Sequence, residues 1–226
     1  MESKEIAAMI DHTFLKPAGD ADAVRKLCRE AKKYGFASVC VNPAEVPLAA
    51  KLLKKTDVKV CTVIGFPLGQ DTTNVKCFAA LDAVYQGAQE LDFVINQRLL
   101  KYDPEACLAE LQAIVRVCQE IPTELGRQVP LTKLIIECCN LTKDEKVLAC
   151  KLAKEAGFDF VKTSTGFASG GAVPADVKLM RKTVGKKMGV KAAGGIHTRE
   201  EAEAMVAAGA TRLGCSAGVA IMQEKL

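Results

Sequence analysis

Apolar positions along the chain alternate between two spacings. Residues 20 to 34 place Val24, Leu27, Cys28, Ala31 and Tyr34 at helical intervals, and residues 104 to 118 repeat this with Cys107, Leu108, Leu111, Ile114, Val115 and Cys118. Helix starts are marked by Asn42-Pro43 and Asp103-Pro104, each a capping side chain followed by proline at the first helical position. Thr142 with Glu145, and Thr198 with Glu201, fit the capping box, in which hydroxyl and carboxylate satisfy amide donors reciprocally. Gly35, Gly87, Gly157, Gly189 and Gly209 each stand where a helical pattern gives way to an apolar run, as expected of a left-handed helix end.

The runs after these glycines are short: 37–41, 90–95, 159–163, 190–194 and 211–215, with further runs at 59–65 and 133–138 and a weaker one at 9–14. Near-continuous apolar runs between helices predict parallel strands buried on both faces. Eight strand-then-helix units, with no linker to divide them, predict an α/β fold: one (β/α)8 TIM barrel forming a single domain over residues 1–226. A doubly wound open sheet is the alternative, weakened because no GxGxxG or GxxxxGK[ST] follows the first strand.

Composition narrows the function classes. Lys and Arg number 31 against 27 Asp and Glu, a formal charge of +4, too small and too evenly spread to point to nucleic acid or a membrane surface. No apolar stretch approaches the roughly 18 to 20 residues of a membrane span, and the acid-flanked start MESKEIAAMIDHTF does not read as a signal peptide. Ten cysteines fall in strand-like runs or on apolar helix faces, and Cys138 and Cys139 are adjacent. They are expected to be reduced thiols of a cytoplasmic protein. With two histidines and no CxxC, no metal site and no cofactor are expected.

In a barrel, chemistry gathers at the C-terminal ends of the strands. Three polar residues interrupt apolar strands: Asp92 in ELDFVIN, Lys162 in DFVKT and Lys191 in GVKAAGG. A strand lysine must reach solvent or face a polar cavity, because burying an unpaired ammonium is costly. Lys162 and Lys191 lie on the sixth and seventh predicted strands, neighbours in a barrel, and each precedes a loop of small residues. Two ammonium groups in one cavity disfavour each other, so one pKa should fall and supply a neutral amine for Schiff-base chemistry. Asp92 could then move protons, or simply pair with a lysine. Gly194-Gly195 and the Gly214 to Gly218 turn stand on the two loops where barrels commonly bind phosphate.

Taken in order, IDHTFLKP (10–17), SVCVNP (38–43), VIGFPLG (63–69), ELDFVIN (90–96), KLIIE (133–137), DFVKTSTGF (159–167), VKAAGGIHT (190–198) and RLGCSAG (212–218) resemble the motifs of the deoxyribose-phosphate aldolase family. The resemblance implies a metal-independent lyase of carbohydrate and deoxyribonucleotide catabolism. Its reaction would be cleavage of 2-deoxy-D-ribose 5-phosphate to D-glyceraldehyde 3-phosphate and acetaldehyde, in a barrel forming a homo-oligomer (dimer or tetramer). By motif, Lys162 resembles the Schiff-base lysine, Lys191 its partner and Asp92 the acid/base carboxylate. Asp11 and Thr165 resemble groups lining the sugar site; Gly166, Gly194, Gly195, Gly214 and Ser216 resemble the phosphate positions. Cys40 matches a cysteine near the family's site. His197 stands where the family commonly has Arg, and Ala217 where some members have Ser.

Three other readings stay open on the residues alone. A barrel aldolase acting on a keto sugar acid would use the same lysine. A phosphosugar isomerase would need a carboxylate base, for which Glu137 is the candidate. A phosphosugar-binding protein would keep the glycine loops without needing Asp92, Lys162 and Lys191.

Overall fold

The protein was analysed as a computed structural model that describes the backbone of residues 1–125 and 128–224 and the side chains of 1–120 and 128–224. Eight strands pair in chain order, all parallel: β1 (Ile10–Phe14), β2 (Ser38–Val41), β3 (Lys59–Ile64), β4 (Glu90–Val94), β5 (Leu131–Ile135), β6 (Phe160–Lys162), β7 (Gly189–Ala193) and β8 (Arg212–Cys215). β8 pairs with β1 through Ile10 and Leu213, closing the barrel. The open-sheet alternative is thereby excluded.

Helices cover the outside: α1 (Ser3–Ala7), α2 (Ala21–Tyr34), α3 (Val46–Leu53), α4 (Thr73–Gln86), α5 (Gln97–Tyr102), α6 (Pro104–Leu125), α7 (Lys143–Ala156), α8 (Pro174–Val184), α9 (Arg199–Ala207) and α10 (Gly218–Gln223). Both capping boxes form, at Thr142 and Glu145 and at Thr198 and Glu201. Asp103 accepts from the amide of Ala106 at the start of α6, whereas the Asn42 side chain makes no cap bond before a short 3-10 turn. Gly35, Gly87 and Gly157 end their helices in the left-handed conformation.

Two boundaries differ from expectation. Gly189 does not stop a helix; α8 stops at Gly185, and Gly189 opens β7. A Cβ at Gly189 would lie 2.2 Å from the Phe160 ring, so what the position requires is close packing. β5 begins at Leu131, two residues before the apolar run, and ends at Ile135. Lys133 therefore sits inside the strand rather than at its solvated start.

The apolar core divides in two. The larger cluster lies between sheet and helices, for example Val39, Leu91, Leu134, Val161 and Leu213 against Leu27, Leu111 and Met180. Inside the barrel the apolar cluster is small: Leu15, Cys40, Cys61 and Val63, with Phe66 against it. Alternation along the strands sends many of the remaining inward positions to charged side chains. None of the helices among the described residues is long and apolar enough to cross a membrane.

Candidate active site

At the C-terminal ends of the strands the βα loops surround a cavity of about 290 Å³. Lys162, Thr165, Gly166, Gly194, Gly195, Gly214 and Ser216 line it, so seven of the ten expected site residues meet in one wall. Lys16 and His197 line it too. Two larger clefts, of about 530 and 650 Å³, open at the opposite end beside Lys59 and Gly189, away from the loops that carry chemistry in barrels.

The loops are welded by close backbone contact. Ala172 donates to the carbonyl of Gly194 at 2.9 Å. A Cβ on Gly171 would stand 2.3 Å from that same carbonyl oxygen. Glycine at position 171 lets the loop after β6 lie directly on the loop after β7.

Asp92, Lys191 and Asp11 are buried inside the barrel and do not line the cavity. Lys162 Nζ donates to Asp92 Oδ2 at 2.8 Å, and Lys191 Nζ donates to the same oxygen at 2.7 Å. Register explains the meeting, because Lys162 and Lys191 are direct Cα partners across β6 and β7. Asp92 Oδ1 accepts from Lys133 at 2.9 Å and from the Cys61 thiol at 3.3 Å. Asp11 is fully buried and does not line the cavity, correcting the expectation drawn from its motif. It pairs with Lys191, accepts from Arg212 at 2.6 Å and accepts from Ser38 at 2.7 Å.

Four further groups complete this network, and no strand pattern singled them out. Lys133 reaches Glu90 at 2.6 Å, and Arg212 reaches both oxygens of Glu90 at 3.2 Å. The fourth is Cys61, whose thiol points at Asp92. Lys133 and Arg212 fall near the start of their apolar runs, where a charge reads as a solvated boundary. The usable signal was the period of two: Glu90 and Asp92, Lys133 and Ile135, and Lys191 and Ala193 share the inner face.

Pairing fixes most of the charges. Burial opposes the charged forms of Asp11, Asp92, Lys133, Lys191 and Arg212, and their partners outweigh it. Asp92 is held well below the usual carboxylate range because Lys133, Lys162 and Lys191 overcome its desolvation. Asp11 is lowered likewise, chiefly by Lys191 and Arg212 against burial. Burial would lower Lys191, yet Asp11 and Asp92 raise it above the ordinary lysine range. Asp92 and Glu90, with the Cys61 thiol, do the same for Lys133. The Cys40 thiol is lowered, first through its contact with Cys61 and against burial.

Glu137 occupies a different role from a free base. It is the one non-glycine residue at positive φ among the described residues, at 58°. Its carboxylate accepts from the Thr165 amide at 3.1 Å and from the Thr165 hydroxyl at 2.5 Å. Thr165 Oγ1 in turn accepts from the Phe167 amide at 3.0 Å. Strain at a functional loop end persists when surrounding contacts over-determine it, as they do here.

The fold and the sequence have counterparts among known proteins. The family model described as DeoC/LacD family aldolase matches residues 6–224. The chain belongs to the DeoC/LacD family of aldolases. Deoxyribose-phosphate aldolase of Clostridium perfringens is 55% identical, over all of this chain and 98% of its own. The protein of that name from Thermoanaerobacter is 55% identical, over 97% of this chain and 96% of its own. A tetrameric deoxyribose phosphate aldolase from Aeropyrum pernix superimposes with a TM-score of 0.90 at 34% identity, over 98% of this chain and 91% of that one. A putative member from Coccidioides immitis gives 0.91 at 40%, over 98% and 86%. Like these relatives, this DeoC/LacD family member is an aldolase.

Proposed function

We propose that this aldolase reversibly cleaves 2-deoxy-D-ribose 5-phosphate to D-glyceraldehyde 3-phosphate and acetaldehyde through a Schiff base on Lys162. The observation that carries the mechanism is the contact pattern of the buried lysines. Lys133 pairs with three carboxylates and Lys191 with two, whereas Lys162 touches only Asp92 and alone among them lines the cavity. The least paired amine is the one nearest the substrate.

In the cleavage direction the neutral Lys162 amine attacks the open-chain aldehyde carbon, giving a carbinolamine. Loss of water forms the protonated imine. The hydroxyl at C3 gives up its proton, the C2–C3 bond breaks, and its electrons pass into the imine to form an enamine. D-glyceraldehyde 3-phosphate leaves. The enamine takes a proton at carbon, and water releases acetaldehyde and restores the amine. Asp92, 2.8 Å from Lys162 Nζ, and Lys191, 2.7 Å from Asp92, are the groups able to hold or pass these protons.

Gly166, Gly194, Gly195, Gly214 and Ser216 supply backbone amides and a hydroxyl for the phosphate, with Lys16 and His197 beside them. The names of the relatives support this substrate over a keto sugar acid. Ten unpaired cysteines suit a reducing cytoplasmic location. We also propose a homo-oligomer: α4 leaves Val75, Phe78, Leu81 and Tyr85 exposed, and the Aeropyrum pernix relative is tetrameric.

Purified protein incubated with 2-deoxy-D-ribose 5-phosphate should release acetaldehyde and D-glyceraldehyde 3-phosphate in equal amounts. Turnover of a six-carbon keto sugar acid, with none of the deoxypentose phosphate, would transfer the site to the other aldolase class.

A further inference from the structure

The inside of the barrel has unequal charge. Among the described residues, its strands send inward four cationic side chains, Lys133, Lys162, Lys191 and Arg212, and three carboxylates, Asp11, Glu90 and Asp92. With all of them charged the interior holds one surplus positive charge. Arg212 cannot relieve it, since guanidinium stays protonated. It donates to Asp11 and, through two nitrogens, to Glu90. The surplus therefore falls on a lysine. Lys162 has the fewest partners, and its one acceptor oxygen already takes the proton of Lys191.

We propose that Arg212 is a positioning residue for catalysis: locked onto Glu90 two strands from Lys162, its permanent charge makes Lys162 the group that sheds a proton. This rests on the Schiff-base role proposed for Lys162 and adds the source of its neutral amine. Arg212 does not line the cavity, and Asp11 and Glu90 hold its guanidinium. The pairing with Glu90 also offsets part of its charge, so the two residues set the balance against each other.

Other charged and titratable groups surround Lys162. Inside the barrel these are Cys40 on β2 and Cys61 on β3, besides the six already named. At the mouth they are Glu137, bound to Thr165, and the cavity-lining Lys16 and His197. All of these stay unchanged in the variants below, so they cannot produce shifts of opposite sign.

The test is the pH dependence of borohydride trapping of acetaldehyde on Lys162, read by peptide mass in the full-length protein. Arg212→Met removes the surplus charge, and the trapping midpoint should move to higher pH by about one unit. Glu90→Gln adds to the surplus, and the midpoint should move to lower pH. The double variant restores the original balance with neither contact present, and its midpoint should return to that of the unsubstituted protein. Arg212→Lys should keep the midpoint. A merely structural role would reduce trapping at every pH and leave the midpoints together. Midpoints that do not move, that move in the same direction, or that fail to return in the double variant overturn the proposal. If Arg212→Met does not fold, Glu90→Gln decides alone, and an unshifted midpoint there overturns it. Failure of the unsubstituted protein to label Lys162 would instead remove the Schiff-base reading on which it rests.

Discussion

Lys162 and Lys191 share one oxygen, Asp92 Oδ2, at 2.8 and 2.7 Å. Two ammonium groups on one acceptor are partly shielded from each other by the carboxylate between them. They are also unequal. Lys191 has Asp11 as a second partner and is held in its charged form, while Lys162 has only the shared oxygen. The two lysines are thus unequally paired, Lys191 with two carboxylates and Lys162 with one.

Lys191→Leu should therefore raise the pH at which Lys162 becomes neutral by a unit or more, where a unit corresponds to about 1.4 kcal/mol. Activity at neutral pH should fall at least tenfold, and part of it should return near pH 9. The sign is set by removal of a neighbouring positive charge, which favours the protonated amine. Desolvation by Leu acts the other way, so the net shift measures which effect dominates. Equal loss at every pH would make Lys191 a direct proton donor, and no loss would make it a bystander.

Glu137→Gln tests the clamp on the loop after β6. The amide keeps one acceptor oxygen but replaces the other, which accepts from Thr165 in the carboxylate, with an NH2 donor, and a poorly met buried donor costs about 1–3 kcal/mol. KM for the phosphosugar should rise several-fold, while trapping of acetaldehyde on Lys162 stays near normal because that small aldehyde needs no phosphate loop. Abolished trapping with an unchanged KM would return Glu137 to the role of a base.

Chelators should leave activity intact. Two groups, Cys40 with Cys61 and Asp92, and Asp11 with Cys61 and Glu90, bring donor atoms within 4.8 Å. The carboxylates in both are already taken by Lys133, Lys162, Lys191 and Arg212, which a divalent cation would have to displace. Inactivation by EDTA with recovery on adding zinc would contradict this.

The barrel was legible because each unit carries its own boundary chemistry, as at Thr142 and Glu145 or at Gly157. The charged groups of the site were legible only where a charge interrupts the middle of an apolar run, as Asp92, Lys162 and Lys191 do. Lys133, Glu90 and Arg212 stand near strand starts, and a local pattern cannot tell a solvated end from an inward position until the register is known. Glu137 was read as a candidate base because its left-handed backbone and its bond to Thr165 are long-range facts. Asp11 was assigned to the sugar site by motif, yet the pairing of β1 with β8 buries it beneath Lys191.

The central claim, a covalent amine at position 162, is tested most directly by reducing the protein with borohydride in the presence of acetaldehyde and mapping the labelled peptide. We expect a two-carbon addition on Lys162 and none in Lys162→Met. A label on Lys191 would reverse the two roles, and label confined to exposed lysines such as Lys54 and Lys55 would contradict the mechanism.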